Sequence, residues 1–132
     1  MTDYRDFFNE VIHTLLDIEQ WFAGTAEPAL LTRLLGRFSP EFSMVAPDGR
    51  ALDCEAQRGL FEQLGGTRPG LRISLSDLRG LARHSGGATL SYRELQSDAS
   101  GPLSDRRATA VIEQLPGGAL RWRHLHETFS QG

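Results

Sequence analysis

Leu120-Arg121-Trp122-Arg123-His124-Leu125-His126-Glu127-Thr128-Phe129 is the stretch on which the reading of this 132-residue chain turns. It is the last of four strand-like runs that fill the second half, after two helices, a short hairpin and a third helix. That order (α-α-β-β-α-β-β-β-β) predicts an α+β protein: three helices packed in the hollow of a strongly curved, mostly antiparallel mixed sheet. Strand residues two apart share a face, so the spacing places Leu120, Trp122, His124, His126 and Thr128 on one side. Leu120 and Trp122 need cover, which turns that side toward the hollow. Arg121, Arg123, Leu125, Glu127 and Phe129 then face outward.

The preceding segments read outward from this strand. Tyr4, Phe8, Val11, Leu15, Ile18 and Phe22 recur at helical steps and predict a helix over Asp3–Phe22, with Phe7, Ile12 and Leu16 widening its apolar stripe. Thr2 or Asp3 caps it and Gly24 stops it. His13 and Asp17 lie one turn apart on the opposite, solvent-facing side, where a surface ion pair is the simpler reading than a catalytic or metal pair. Pro28 opens a second helix that buries Leu30, Leu31, Leu34 and Leu35 and ends at Gly36. Phe42–Val45 and Arg50–Leu52 flank Pro47-Asp48-Gly49 as a hairpin, and Asp53 caps a third helix over Cys54–Leu64. From Leu71 the period becomes two. Turns at Ser85-Gly86-Gly87, residues 97–102 and Pro116-Gly117-Gly118 separate Ala88–Gln96, Asp105–Gln114 and the closing strand.

Composition narrows the function classes. Residues 1–66 carry 11 acids and 5 bases, residues 67–132 carry 6 acids and 9 bases, and every base is arginine. The arginines of the second half are spread over several strands among acids, unlike a concentrated nucleic-acid stripe, so no nucleic-acid partner is expected. The single Cys54 excludes an internal disulfide. Neither a secretory signal nor an apolar run of the roughly 20 residues needed to span a bilayer is evident, so a cytoplasmic protein without a membrane partner is expected.

Two local patterns sharpen the architecture: Phe38-x-x-x-Phe42 leading to Ala46-Pro47-Asp48-Gly49, and Gly118-x-x-x-Trp122-x-His124-Leu125-His126-Glu127-Thr128. With these in order, the chain resembles the nuclear transport factor two-like superfamily of cystatin-like cone domains. That group includes SnoaL-like polyketide cyclases, ketosteroid isomerase, scytalone dehydratase and the association domain of calcium/calmodulin-dependent kinases. The closing strand looks most like that of the kinase association domain and its bacterial relatives, which end in a similar His-x-His-x-Ser. Trp122 stands two positions nearer the histidines than the usual tryptophan, whose place Leu120 takes. The resemblance implies one SnoaL-like cone domain over residues 1–132. On the isomerase template the general base falls at Ala46 and the oxyanion tyrosine near Asp17, so steroid isomerisation lacks both its groups.

The candidate site follows from the inward set. His124 and His126 on one wall offer an acid and a base, with Tyr92 as hydrogen-bond donor; these three are the candidate catalytic residues. Trp122, Glu94, Leu120 and Thr128 are the candidate ligand-binding residues, and Glu94 is positioned to pair with a histidine. Structural histidines and a satisfied buried tyrosine are the simpler alternative. No third ligand stands at fixed spacing from the histidine pair, so neither a metal nor a cofactor is expected. Three functions remain open: binding of a small apolar or aromatic metabolite, cofactor-independent isomerase, cyclase or dehydratase chemistry through His124 or His126, and homodimeric association. The last would use the outer sheet face with Arg121, Arg123, Leu125 and Phe129, where large apolar groups mix with charge.

Overall fold

The computed structural model describes residues 2–130. Its elements are α1 (Arg5–Ala23), α2 (Ala29–Leu35), β1 (Phe38–Val45), β2 (Ala51–Asp53), α3 (Cys54–Leu64), β3 (Arg72–His84), β4 (Gly87–Asp98), β5 (Gly101–Gln114) and β6 (Leu120–Phe129). The strands form one sheet in the order β2-β1-β6-β5-β4-β3. Only β1 and β6 run parallel; the other neighbours are antiparallel. The expected α+β arrangement, three helices against a mixed and mostly antiparallel sheet, is therefore what the chain forms.

Alternation along the central strands decides where the core lies. Ala88, Leu90 and Tyr92 of β4 and Ala108, Ala110 and Ile112 of β5 are buried on the face that meets the helices. Phe7, Val11 and Leu15 of α1, Leu34 of α2 and Phe61 of α3 close over them. Register slips bend the sheet around this core: between Ser76 and Arg79 in β3, where Asp77 takes φ 53°, and between Phe38 and Ser43 in β1. An extra residue on one strand increases local twist and re-aims the side chains beyond it.

A further slip lies between β5 and β6. Ile112 pairs with Trp122, but the next β5 residue, Val111, pairs with His124, which leaves Arg123 without an opposite number. This bulge overturns the faces expected from strict alternation. Trp122 faces the core, as expected, and Leu120 packs against it from a half-buried position. Beyond the bulge the inward residues are Leu125 and Glu127, whereas His124, His126 and Thr128 fall on the opposite face.

Several boundaries also differ. β1 begins at Phe38 rather than Phe42, and β5 begins at Gly101, so the expected loop over residues 97–102 is a tight turn inside a long hairpin. On α1, Ile12 and Leu16 are 45% and 46% exposed, outside the buried stripe. Asp17 is the reverse: expected on the surface beside His13, it is buried, because Arg33 of α2 and Arg37, two residues past its end, lie over that side.

Arg37 joins three elements. Its Nε donates to Asp17 at 2.9 Å and its Nη1 to Glu10 at 3.0 Å. Glu10 also accepts from the Thr14 hydroxyl, whose oxygen accepts from the buried Trp122 Nε1, each at 3.0 Å. Burial works to lower the Arg37 pKa, but hydrogen bonds and charge from Asp17 and Glu10 outweigh it and raise the pKa, so the guanidinium stays charged.

Two glycines separate backbone demand from mere tolerance. Gly87 sits at φ 149° at the start of β4, and a methyl group there would fall onto the Ile112 carbonyl. Gly59 lies in α3 with no neighbour within 4 Å of the position a methyl would take. Gly87→Ala should lose about 2 kcal/mol or more of unfolding free energy in urea. Gly59→Ala should gain about 0.5–1 kcal/mol. Equal effects would contradict the β4–β5 register.

Candidate functional site

A cavity of about 320 Å³ opens between α1, α3 and the concave face of the sheet. Its apolar walls include Ile18 and Phe22 of α1, Leu60 and Phe61 of α3, and Phe38 and Trp122 of the sheet. The walls are apolar because each element turns its hydrophobic stripe inward, and they are held by aromatic contacts. Phe38 lies 5.0 Å from Phe42, 6.0 Å from Phe61 and 5.9 Å from Trp122 between ring centroids. The exposed Asp48, Arg50, Arg68 and Phe129 mark its mouth. Asp48 and Arg50 pair with each other there, 2.8 Å apart.

One end of the cavity is polar. Continuing the inward alternation of β4 past Tyr92 brings Glu94 and Gln96 onto the concave face, and the same alternation run back along β5 from Ala108 brings Arg106. The bulge supplies Glu127 from β6, in register with Ala108 and hence with Tyr92. Tyr92, Glu94, Gln96 and Glu127 are all at most 5% exposed. Arg106 Nη1 donates to Glu127 at 3.2 Å, and its Nε donates to the Ser104 hydroxyl at 3.2 Å. Gln96 Nε2 donates to Glu94 at 2.5 Å, and Arg68 donates to the Gln96 carbonyl at 3.3 Å. Among the described residues the Tyr92 hydroxyl has no hydrogen-bond partner.

Of the sequence candidates, the cavity wall holds Tyr92, Glu94 and Trp122. It does not hold His124, His126 or Thr128, and Leu120 packs behind it in the core. His124 Nδ1 is 2.8 Å from the Ser43 hydroxyl across the parallel β1–β6 pairing. His126 and Thr128 instead border a shallow polar groove on the outer sheet face with Asp77, Arg79 and Arg107. Leu125 and Phe129, expected on the outer face, line the cavity. Arg93 and Arg107 face outward, paired with Asp105 and Asp77. Among the described residues no group of three or more His, Cys, Asp or Glu side chains is placed to hold a metal ion.

Sequence reasoning missed Arg106, Gln96 and Glu127. The first two carried a signal, because alternation extended one step beyond the apolar run reaches each of them. Glu127 carried none, since its face depends on a bulge that no turn residue announces.

The environment sets the protonation of the polar end. Burial, then the negative charge of Glu94, raises the Glu127 carboxyl to about 7, against the lowering pull of Arg106. Burial, followed by Glu94 and Glu127, pushes the Tyr92 hydroxyl well above the usual phenol range, so it stays neutral. The cavity thus offers a neutral hydroxyl and a carboxyl that exchanges its proton near neutrality. Between pH 4.5 and about 7 the folded chain holds a proton that an unfolded glutamate has lost, so this group's contribution to stability falls as pH rises through that window. Relative to the parent, Glu127→Gln should gain up to about 3 kcal/mol from about pH 5 to about pH 8 in urea unfolding. Parallel pH profiles for the two proteins would show that Glu127 titrates as in the unfolded chain.

No protein-family model and no curated protein matches the chain. Solved structures do. A nuclear transport factor two-like protein of unknown function from Pseudomonas aeruginosa is 46% identical, with a TM-score of 0.91 over 95% of this chain and 98% of that one. The calcium/calmodulin-dependent kinase II hub homology domain of Chlamydomonas reinhardtii is 15% identical, with a TM-score of 0.76 over 99% of this chain and all of that one. ActVI-ORFA from Streptomyces coelicolor is 15% identical, with a TM-score of 0.66 over 95% and 98% of the two chains. The last two share the fold alone; the first, similar along nearly its whole length, carries the family with it. This chain belongs to the nuclear transport factor two-like family of cystatin-like folds.

Proposed function

We propose that this chain is a single SnoaL-like cone domain, working in the cytoplasm, whose cavity binds a small apolar or aromatic metabolite. The observation that carries the reading is the pairing of an aromatic-walled cavity of about 320 Å³ with a buried Tyr92 hydroxyl that no atom of the described residues satisfies. A buried hydroxyl without a partner is costly, and a ligand or water that meets it recovers that cost. Cavities of this size with apolar walls and few polar groups suit ligands that are mostly hydrocarbon with one polar end.

The enzymatic form of this reading does not pass through the histidine pair, because neither ring faces the cavity. Any proton exchange with a bound molecule falls to Glu127, with Tyr92 as the hydrogen-bond donor. Cofactor-independent chemistry remains compatible with those two groups.

Association is a second reading, favoured by the likeness in fold to a kinase hub homology domain. With Leu125 and Phe129 turned toward the cavity, the outer-face contact between two copies would rest on the polar groove around Arg79, Arg107 and His126. Light scattering at micromolar concentration should give a dimer; a stable monomer would remove this reading.

A thermal-shift screen of aromatic acids, alcohols, amines and polyketide-like compounds tests the first reading, since a ligand of the folded state raises Tm by mass action. Leu60→Trp, which places an indole in the cavity, should abolish the shift produced by any hit. A double His124→Gln, His126→Gln replacement should leave it unchanged. A hit that survives Leu60→Trp binds elsewhere.

A further inference from the structure

The polar end of the cavity has an unbalanced inventory of hydrogen-bonding groups. Glu94, which already accepts from Gln96 Nε2, and Glu127, once it has released its proton, are acceptors, and the Tyr92 oxygen is a third acceptor with its own proton free to turn away. Against the two carboxylates stands one guanidinium, Arg106, already engaged by Glu127 and Ser104. Among the described residues the other elements around the cavity bring one further cation near this end, Arg68, which touches it through Gln96. α1 presents Thr14 and apolar groups, and α3 presents Gln57 and apolar groups. Arg68 reaches in from the mouth only as far as Gln96, and Arg50 is held by Asp48.

We infer that the cavity takes a primary ammonium carried on an apolar or aromatic body, its three N–H donors meeting Glu94, Glu127 and the Tyr92 oxygen. This rests on the small-ligand reading above and names the charge of the ligand's polar end. A primary ammonium has three donors and no acceptor, which complements a site of three acceptors. Its positive charge offsets the second buried carboxylate, and hydrogen bonds between charged partners are the stronger kind. The Tyr92 hydroxyl, 2% exposed, is left unsatisfied by the described residues, which therefore do not complete the cluster. The apolar body would lie against Phe38, Phe61 and Trp122.

Bringing in a cation displaces a proton. Glu127 holds one near neutrality because it is buried beside Glu94, and it must release that proton to receive an ammonium. Affinity should therefore rise with pH until the amine itself begins to deprotonate.

Three probes of matched shape decide the matter by titration calorimetry on the intact protein: 2-phenylethylamine, 2-phenylethanol and phenylacetate. The amine should bind at least about tenfold more tightly than the alcohol at about pH 8, and phenylacetate most weakly. The amine's affinity should fall by about tenfold between about pH 8 and about pH 6, with buffer-dependent heats that report proton release. Glu127→Gln should erase both the preference and the pH dependence. Glu94→Gln, checked for folding by circular dichroism, gives a second route to the lost preference should Glu127→Gln not fold. Equal or tighter binding of the alcohol or the anion would overturn the cation assignment while leaving the cavity reading intact. Amine binding that neither pH nor either variant alters would place it outside this site and overturn the assignment too. Silence from all three probes, beside a hit of another chemistry in the wider screen, overturns the cation alone; silence in both overturns the two readings together.

Discussion

A single unpaired residue in the closing strand governs the rest of the molecule. Without the bulge at Arg123, the residue spacing that buries Trp122 would bury His124 and His126 with it and would put Leu125 and Glu127 in solvent. With it, one strand covers the core at its beginning and furnishes the cavity at its end. A strand has no other means of changing which face it offers, since a one-residue slip exchanges every side chain beyond it. The bulge therefore adds Glu127 to the polar end, where it meets Arg106.

The helices are fastened to this strand by polar bonds as well as by packing. Trp122 fills the core and hands its indole proton to Thr14 on α1, and through Glu10 that contact continues to Arg37 between α2 and β1. Apolar contacts alone allow a helix to slide or turn by small amounts at little cost, whereas a buried charge network is satisfied in one arrangement. The same network accounts for two acids of α1: Asp17 and Glu10 pair with Arg37.

Much of this architecture was legible from residue order. The helix-period stripe of Tyr4 to Phe22, the cap at Asp53 and the change to period two after Leu71 each act locally, and each survives in the folded chain. The Asp53 side chain accepts from the Ala56 amide as its position implies. Departures occur where a distant partner overrides a local rule. Asp17 is polar in sequence yet buried because Arg33 and Arg37 arrive from another element. β1 extends back to Phe38 because a parallel neighbour eighty-odd residues later in the chain, Trp122, pairs with it. The candidate site was half legible: Tyr92, Glu94 and Trp122 follow from alternation, and the histidines were misplaced by the one irregularity that alternation has no means of showing.

The parallel contact between β1 and β6 also constrains how the chain reaches this state. The strands from β3 to β6 are joined by short turns, and each can zip onto the previous one as it emerges. β1 must wait for a partner at the far end of the sequence, and the entropy of closing so long a loop must be met before any of that contact is gained. The cavity lies at this seam, with α3 and the first hairpin on one side and β6 on the other. Its β4 and β5 wall thus belongs to the locally joined strands, whereas Phe38 and Trp122 come together across the long-range pairing.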